Sequence, residues 1–411
     1  MNNLLSRLGD ALRFDFRYFV VGSGWLTFAI GIGYAMGLLR SIAFARLAPS
    51  EVYGQYSFVL AAVGMLSVVT LSGISTALTQ AVARGMHGSF FEAVKIRALW
   101  GSLGSIVVII FGIGYAYYQT EIKFLWAFAA VALFIPFISC TDLITAYYQG
   151  RKRFDIVSWL NSGTVILITV GLTIALWVHL DFVWLLAINS IATLLVPLLL
   201  YRSVANQARN SPVDPEIFSY GWSLSVANAI GTIAFYLDSV LLGFFSSFSA
   251  VAIYRIAAVL PENSKIFFKI MTSLLMPKLA ETSDRKFYDT NNRNRMFILL
   301  GLNIGAVLIA MMIIPYIILI LYGQAYSQSA IYAQGMFLSM GLSAVDAVSL
   351  AVLQAKKRAD IIFRANLLYG ILQISSLIIL IPRIGIGGIV ISYIISRWGI
   401  GLYRWRVVRN L

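Results

Sequence analysis

The chain is 411 residues long, 60% of them hydrophobic and only 12% charged, against roughly 25% charged in a soluble domain. Its mean hydropathy is +0.84, more apolar surface than one or two soluble cores can hide, which excludes soluble enzymes, secreted disulfide scaffolds and disordered chains. A β-barrel is excluded too: its strands would alternate apolar and polar in runs of about ten. Here apolar stretches of about 20 residues follow one another, each long enough to cross ~30 Å of hydrocarbon as a helix. The composition therefore predicts an all-α polytopic membrane protein.

In chain order, the first residues, MNNLLSRLGDALRFDFR, are mixed and basic. A full-length span follows them, instead of the short apolar region of a cleavable signal. Twelve spans are predicted, at 18–44, 53–82, 94–118, 124–148, 155–178, 182–201, 218–244, 250–277, 296–321, 328–354, 361–381 and 385–403. The longer connections, 202–217 and 278–295, are polar and charged. With the N-terminus inside, the inner segments collect most of the 31 Lys and Arg residues. Among them are Arg7, Arg13, Arg17, Arg97, Arg151, Lys152, Arg153, Lys278, Arg285, Lys286, Arg293, Arg295, Lys356, Lys357, Arg358 and Arg404. The opposite side holds only Arg46, Lys123 and Arg383. This is the bias of cytoplasmic loops, so both termini are predicted to be cytoplasmic. The net charge of +14 is then topological, and no nucleic-acid partner is expected.

The segment after the fourth span, QGRKRFDIVSWLN (149–161), repeats after the tenth as QAKKRADIIFRAN (354–366). Gln149/Gln354, Lys152/Lys357, Arg153/Arg358, Asp155/Asp360, Ile156/Ile361 and Asn161/Asn366 coincide. Basic loops resemble one another wherever positive charge is retained inside, but that does not explain the shared Gln, Asp and Asn. A weaker register sets Arg40 against Asp238 and Tyr56 against Tyr254. The chain therefore reads as two six-helix lobes, 1–205 and 206–411, joined near NQARNSPVDPE. Six spans per half makes the repeats parallel, with a central cavity expected between the lobes.

Charges within spans cost several kcal/mol and normally face a bundle interior or a wet cavity. In the eighth span Arg255, Glu262, Lys265 and Lys269 are separated by 7, 3 and 4 residues, which places them on one helical stripe about 80° wide. The stripe is ~21 Å long at 1.5 Å per residue. Three of its four charges are positive, and it suits an anionic group such as a phosphate or carboxylate. Snorkelling of Lys269 to the interface and a local Glu262–Lys265 pair are the competing readings. Pro261 is expected to bend this helix. Arg40 and Asp238 fall late in the first and seventh spans, where they would pair across the axis or stand as separate interfacial charges. Asp142 and Asp346 precede Gln149 and Gln354 by seven and eight residues. A buried carboxylate at either place is a candidate proton carrier or a structural partner.

Other features read as structural. Trp25, Trp126, Trp177, Trp184 and Trp398 fit interfacial aromatic belts, and LSGISTALT (71–79) fits a close helix-packing face. The single cysteine, Cys140, permits no disulfide. Neither a metal-ligand spacing nor a phosphate-loop motif is present. No cofactor, metal or catalytic residue is expected, and nothing in the sequence points to an enzyme.

The stretch LRSIAFARLAPSEVYGQYSFVLAAVGMLSVVTLSGISTALTQAVAR (39–84) resembles the opening signature of Wzx-type O-antigen and polysaccharide flippases, through Arg40, Ala45, Arg46, Leu47, Glu51, Tyr53, Gly54 and Tyr56. DSVLLGFFSSFSAVAIYRIAAVLPE (238–262), MPKLAE (276–281), PYIILILYGQAY (315–326) and PRIGIGGIVISY (382–393) are similar as well. The chain departs from the family pattern at Pro49-Ser50 and in the Gly-less turn FSSFSAVAIY. The resemblance implies a member of the multidrug/oligosaccharidyl-lipid/polysaccharide exporter superfamily in a bacterial inner membrane. It implies transfer of an undecaprenyl-diphosphate-linked oligosaccharide, such as an O-antigen unit of lipopolysaccharide, to the outer leaflet by ion-coupled alternating access. The polysaccharide polymerase machinery would be a further partner. On this reading Arg40, Arg255, Lys265 and Lys269 bind substrate, and Asp142, Asp238, Glu262 and Asp346 serve coupling or gating. A cation-coupled multidrug exporter of the same fold is the alternative.

Overall fold

The computed structural model describes residues 16–280 and 290–409. Arg7, Arg13, Arg285, Lys286 and the Glu281 end of MPKLAE lie outside the described residues, as do the side chains of Arg17, Lys278, Arg293 and Arg295. Helices account for the regular structure of the first half: α1 Phe16–Leu47, α2 Ser50–Leu66, α3 Gly73–Ala83, α4 Ser89–Gln119, α5 Ile122–Ala132, α6 Ile135–Gly150, α7 Phe154–Trp177, α8 Phe182–Leu198 and α9 Tyr201–Ala208. They continue as α10 Ile217–Phe245, α11 Phe248–Ala280, α12 Thr290–Tyr322, α13 Gln328–Leu338, α14 Ser343–Ala355, α15 Ala359–Ile384 and α16 Ile386–Arg409.

Among the described residues, ten stretches are long and apolar enough to cross a membrane, and the pair α8–α9, bent by 43°, makes an eleventh. The remaining predicted span, 250–277, lies in α11, a continuous helix that carries too many charges to be counted with them. Lipid rather than water suits the outer faces. On α12, Leu302, Met312 and Ile320 are 66%, 73% and 72% exposed, an apolar surface that only a bilayer tolerates on this scale.

Several predicted single spans are interrupted helices. The second comprises α2, a 3-10 turn at Ser67–Thr70, Leu71 in a left-handed conformation (φ 54°), and α3. The fourth breaks between α5 and α6, where Pro136 occupies the first turn of the new helix, a place that needs no amide donor. The tenth breaks between α13 and α14, at the position equivalent to the fourth.

The described chain forms two compact units, one of residues up to Ala48 with Val63–Ile233, the other of Pro49–Ala62 with Ala234–Leu411. In the first, Ile74, Leu78, Phe90, Leu143 and Tyr147 lie at the centre of the packing. In the second, the core gathers Leu242, Val251, Tyr254, Met336, Leu377 and Ile389. The E-x-Y-G-x-Y motif acts inside the second unit. A Cβ on Gly54 would lie 1.8 Å from the Phe248 carbonyl oxygen, so only glycine lets α2 meet the start of α11. Ser50 donates its hydroxyl to Ser249 at 3.0 Å at the same contact.

The duplicated loop has the same backbone in both copies. Lys152 (φ 60°) and Lys357 (φ 56°) are left-handed. Arg153 N–H donates to Tyr148 O and Arg358 N–H to Leu353 O, each at 2.9 Å. This closes the helix as a Schellman-type C-cap. Arg153 Nε then donates to Asp155 at 3.0 Å and Arg358 Nε to Asp360 at 3.2 Å. Each aspartate sits in the first turn of the next helix, where the helix dipole favours an anion. The shared Asp thus has a structural reason. The shared Asn does not: Asn366 accepts from Arg404 at 2.7 Å, whereas Asn161 is exposed.

Candidate functional site

Among the described residues, the three aspartates inside the spans, Asp238, Asp142 and Asp346, each centre a polar cluster. The first surrounds Asp238 on α10, 2% exposed. Its Oδ2 accepts from the Tyr393 hydroxyl at 2.7 Å and from the Tyr254 hydroxyl, and its Oδ1 accepts from the Ser239 hydroxyl at 3.1 Å. The two tyrosine hydroxyls are 3.1 Å apart. Among the described residues no lysine or arginine forms an ion pair with Asp238. Its charge is held by neutral hydroxyl donors, the compensation that buried carboxylates need when no cation is close.

The α11 stripe lies in the same unit. Tyr254 points its hydroxyl to Asp238, and Arg255, next in sequence, turns about 100° away. Glu262 and Lys265 are 4.0 Å apart, with side chains 28% and 45% exposed, so the local i,i+3 contact expected as a competitor is present and loose. Lys269, a turn further on, is exposed. The helix runs unbroken through Pro261, whose carbonyl accepts from Ser264 at 2.8 Å. Arg397 on α16 extends this cationic region: its guanidinium lies 4.7 Å from the centre of the Tyr393 ring and donates to Ser339 at 2.8 Å.

A second cluster forms where the second span breaks. The break leaves helix carbonyls without intrahelical donors. Arg97 of α4 fills that need, donating from Nη1 to Thr70 O at 2.6 Å and from Nε to Ser139 O at 3.2 Å. Its Nη2 lies 3.4 Å from Asp142, which also accepts from Ser75 at 2.9 Å. Beside Asp142 opens a cavity of about 170 Å³, lined by Ser75, Thr76, Thr79, Asp142, Thr145 and Gln149. The third cluster pairs Asp346 with Arg404 through two contacts of 3.0 Å.

The structure therefore gathers Asp238, Arg255, Glu262 and Lys265 in one region. Arg40 is half-buried on α1 in the first unit and has no ion pair among the described residues. Asp142 and Asp346 are separate centres, each with its own arginine. Arg97 and Arg404, expected among the solvated inner cations, are 4% and 5% exposed, because carboxylates within a span draw a buried partner. Tyr393 and Arg397 join the Asp238 region through α16, a link invisible in a linear sequence. LSGISTALT serves packing, with Gly73 against the Gly221 backbone, and also supplies three side chains to the cavity.

No three His, Cys, Asp or Glu side chains are grouped to hold a metal among the described residues. Interrupted helices, charges within apolar helices and short connections define a polytopic helical membrane architecture. The solved structures agree. The chain is similar to the lipid II flippase MurJ in an inward closed conformation, with a TM-score of 0.71 and 14% identity, over 93% of this chain and 87% of that one. It is also similar to the Vibrio cholerae MATE transporter VcmN (TM-score 0.57, 14% identity, 96% and 97% covered). A Pyrococcus furiosus transporter of the MOP superfamily, described as having a binding pocket of reversed polarity, matches with a TM-score of 0.57 and 10% identity, over 96% and 95%. At these identities the likeness establishes the fold, a MurJ/MATE-like helical membrane fold. A family profile described as "Polysaccharide biosynthesis protein" matches residues 19–283, and the chain belongs to that family. No curated protein sequence matches it.

Proposed function

We propose that this protein is a flippase that carries an undecaprenyl-diphosphate-linked oligosaccharide, the repeat unit of O-antigen or a similar surface polysaccharide, from the inner to the outer leaflet of a bacterial inner membrane. The observation that carries the reading is the cationic stripe of α11 in a chain of the polysaccharide biosynthesis family. Lys265, half exposed and only loosely held by Glu262, is free to exchange that carboxylate for a diphosphate oxygen, with Arg255 and Lys269 of the same helix completing the anion site. The polyprenyl tail stays in lipid, and the duplicated halves 1–205 and 206–411 alternate access with both termini cytoplasmic. Asp238 is the best candidate for ion coupling, because it alone of the three intramembrane aspartates has no arginine partner among the described residues. A multidrug exporter of cations would place opposite charge along such a stripe.

The test is a deletion strain complemented with the wild type or with Lys265→Ala. Lipid-linked repeat units, surface glycan and protein level in the membrane are measured together. Wild type is expected to restore surface glycan, and the variant to accumulate cytoplasmic-side lipid-linked single units at normal membrane levels. A deletion strain with intact surface glycan would overturn the assignment.

A further inference from the structure

The cavity beside Asp142 is unlike the cationic stripe in chemistry, and it lies wholly within the first unit. Two helical stripes face one another across it. On α6, Asp142, Thr145 and Gln149 recur at intervals of three and four residues, which keeps them on one side of the helix. On α3, Ser75, Thr76 and Thr79 oppose them. Most of these groups retain hydrogen-bonding capacity. The hydroxyls of Thr76 and Thr145 and the Gln149 amide have no partner among the described residues, and Asp142 leaves its Oδ1 free while Oδ2 receives Ser75 and Arg97.

The charge of Asp142 is already answered by a buried guanidinium at 3.4 Å. The Asp142 side chain is 54% exposed, but a second cation at the same carboxylate would still meet the charge of Arg97, which burial leaves poorly screened. A second anion would meet Asp142 itself. The site is therefore electrically balanced, rich in acceptors and donors, and half open. Its volume of about 170 Å³ corresponds to roughly five or six waters at ~30 Å³ each, the space of one sugar ring.

We propose that this cavity is a glycan subsite, which binds one neutral, hydroxyl-rich sugar ring: Asp142 Oδ1 accepts from ring hydroxyls while Gln149, Thr145 and Thr76 exchange hydrogen bonds with their neighbours. The proposal rests on the flippase reading for its substrate and adds the part of the substrate that the anion site does not hold. It also gives Asp142 a role in recognition in place of ion coupling.

The experiment uses the purified full chain in detergent and saturation-transfer NMR with a panel of free neutral hexoses and hexosamines. Phosphorus NMR follows inorganic pyrophosphate on the same samples. At least one sugar is expected to receive saturation from the wild type. Thr145→Val and Gln149→Leu, whose side chains form no hydrogen bond with Arg97 or Asp142 among the described residues, are each expected to weaken that sugar at least about threefold, the loss of one ordinary hydrogen bond. Both variants should leave the pyrophosphate response unchanged, whereas Lys265→Ala should remove the pyrophosphate response and spare the sugar. Absence of saturation transfer for every sugar, or a signal undiminished in both variants, would overturn the subsite. Sodium that displaces the sugar in wild type and fails to do so in Gln149→Leu would overturn it in favour of a cation site. Loss of pyrophosphate binding by the wild type would count against the flippase reading alone.

Discussion

Replacing Arg404 by methionine isolates what its ion pair does. Arg404 is 5% exposed and Asp346 has a side chain 26% exposed. The guanidinium reaches both carboxylate oxygens at 3.0 Å and Asn366 at 2.7 Å. Removing one partner of a buried pair costs about 3–5 kcal/mol, chiefly because the other charge stays buried. The quarter exposure of Asp346 lets water recover part of that, which leaves about 2–3 kcal/mol. At roughly 2 °C per kcal/mol for a large domain, the thermal midpoint of the purified chain in detergent should fall by about 4–6 °C. Asp346→Asn keeps an acceptor and should cost about 1–2 kcal/mol. The double variant, with both charges gone, should lose less than the sum of the two by at least about 1 kcal/mol. An Arg404→Met midpoint equal to wild type, or strict additivity in the double variant, would refute this account. So would normal stability of Asp346→Asn combined with abolished export, because Asp346 would then carry ions and not merely hold Arg404.

Two further outcomes follow from local geometry. Gly54→Ala forces a carbon to 1.8 Å from the Phe248 carbonyl; it should destabilise by at least about 1–3 kcal/mol. Gly33→Ala, with nothing within 4 Å, should be neutral or stabilising by up to ~1 kcal/mol; equal midpoints for the two variants would contradict the packing described. His87 lies in the turn before α4, outside the spans. Burial first, and then the positive charge of Arg151, hold its pKa below the ordinary value of 6.5. The native state therefore binds fewer protons than the unfolded chain, so its stability is full above that value and declines as pH falls through it. Unfolding midpoints between pH 8 and 5, as conventional buffer limits around the histidine range, should show a decline that His87→Gln reduces; an unchanged profile in the variant would discount the histidine.

The sequence by itself determined the class of the protein. Hydrophobic stretches of spanning length with charges at their ends admit a helical membrane protein and little else, since bilayers tolerate no unpaired backbone. It also carried the duplicated loop, because the left-handed lysines and the Arg–Asp bonds at 153–155 and 358–360 are local and recur with the local sequence. The α11 stripe was legible for the same reason: helical periodicity alone puts its charges on one side. What tertiary structure decided was partnership. Arg97 and Arg404 looked like solvated loop cations, yet one is drawn into the broken second span and the other onto Asp346. Tyr393 reaches Asp238 from 155 positions away, and Gly54 is required by a carbonyl on another helix. Hydrogen bonds and van der Waals contacts act over a few ångströms in space, whereas linear spacing constrains only neighbours within a few turns of one helix.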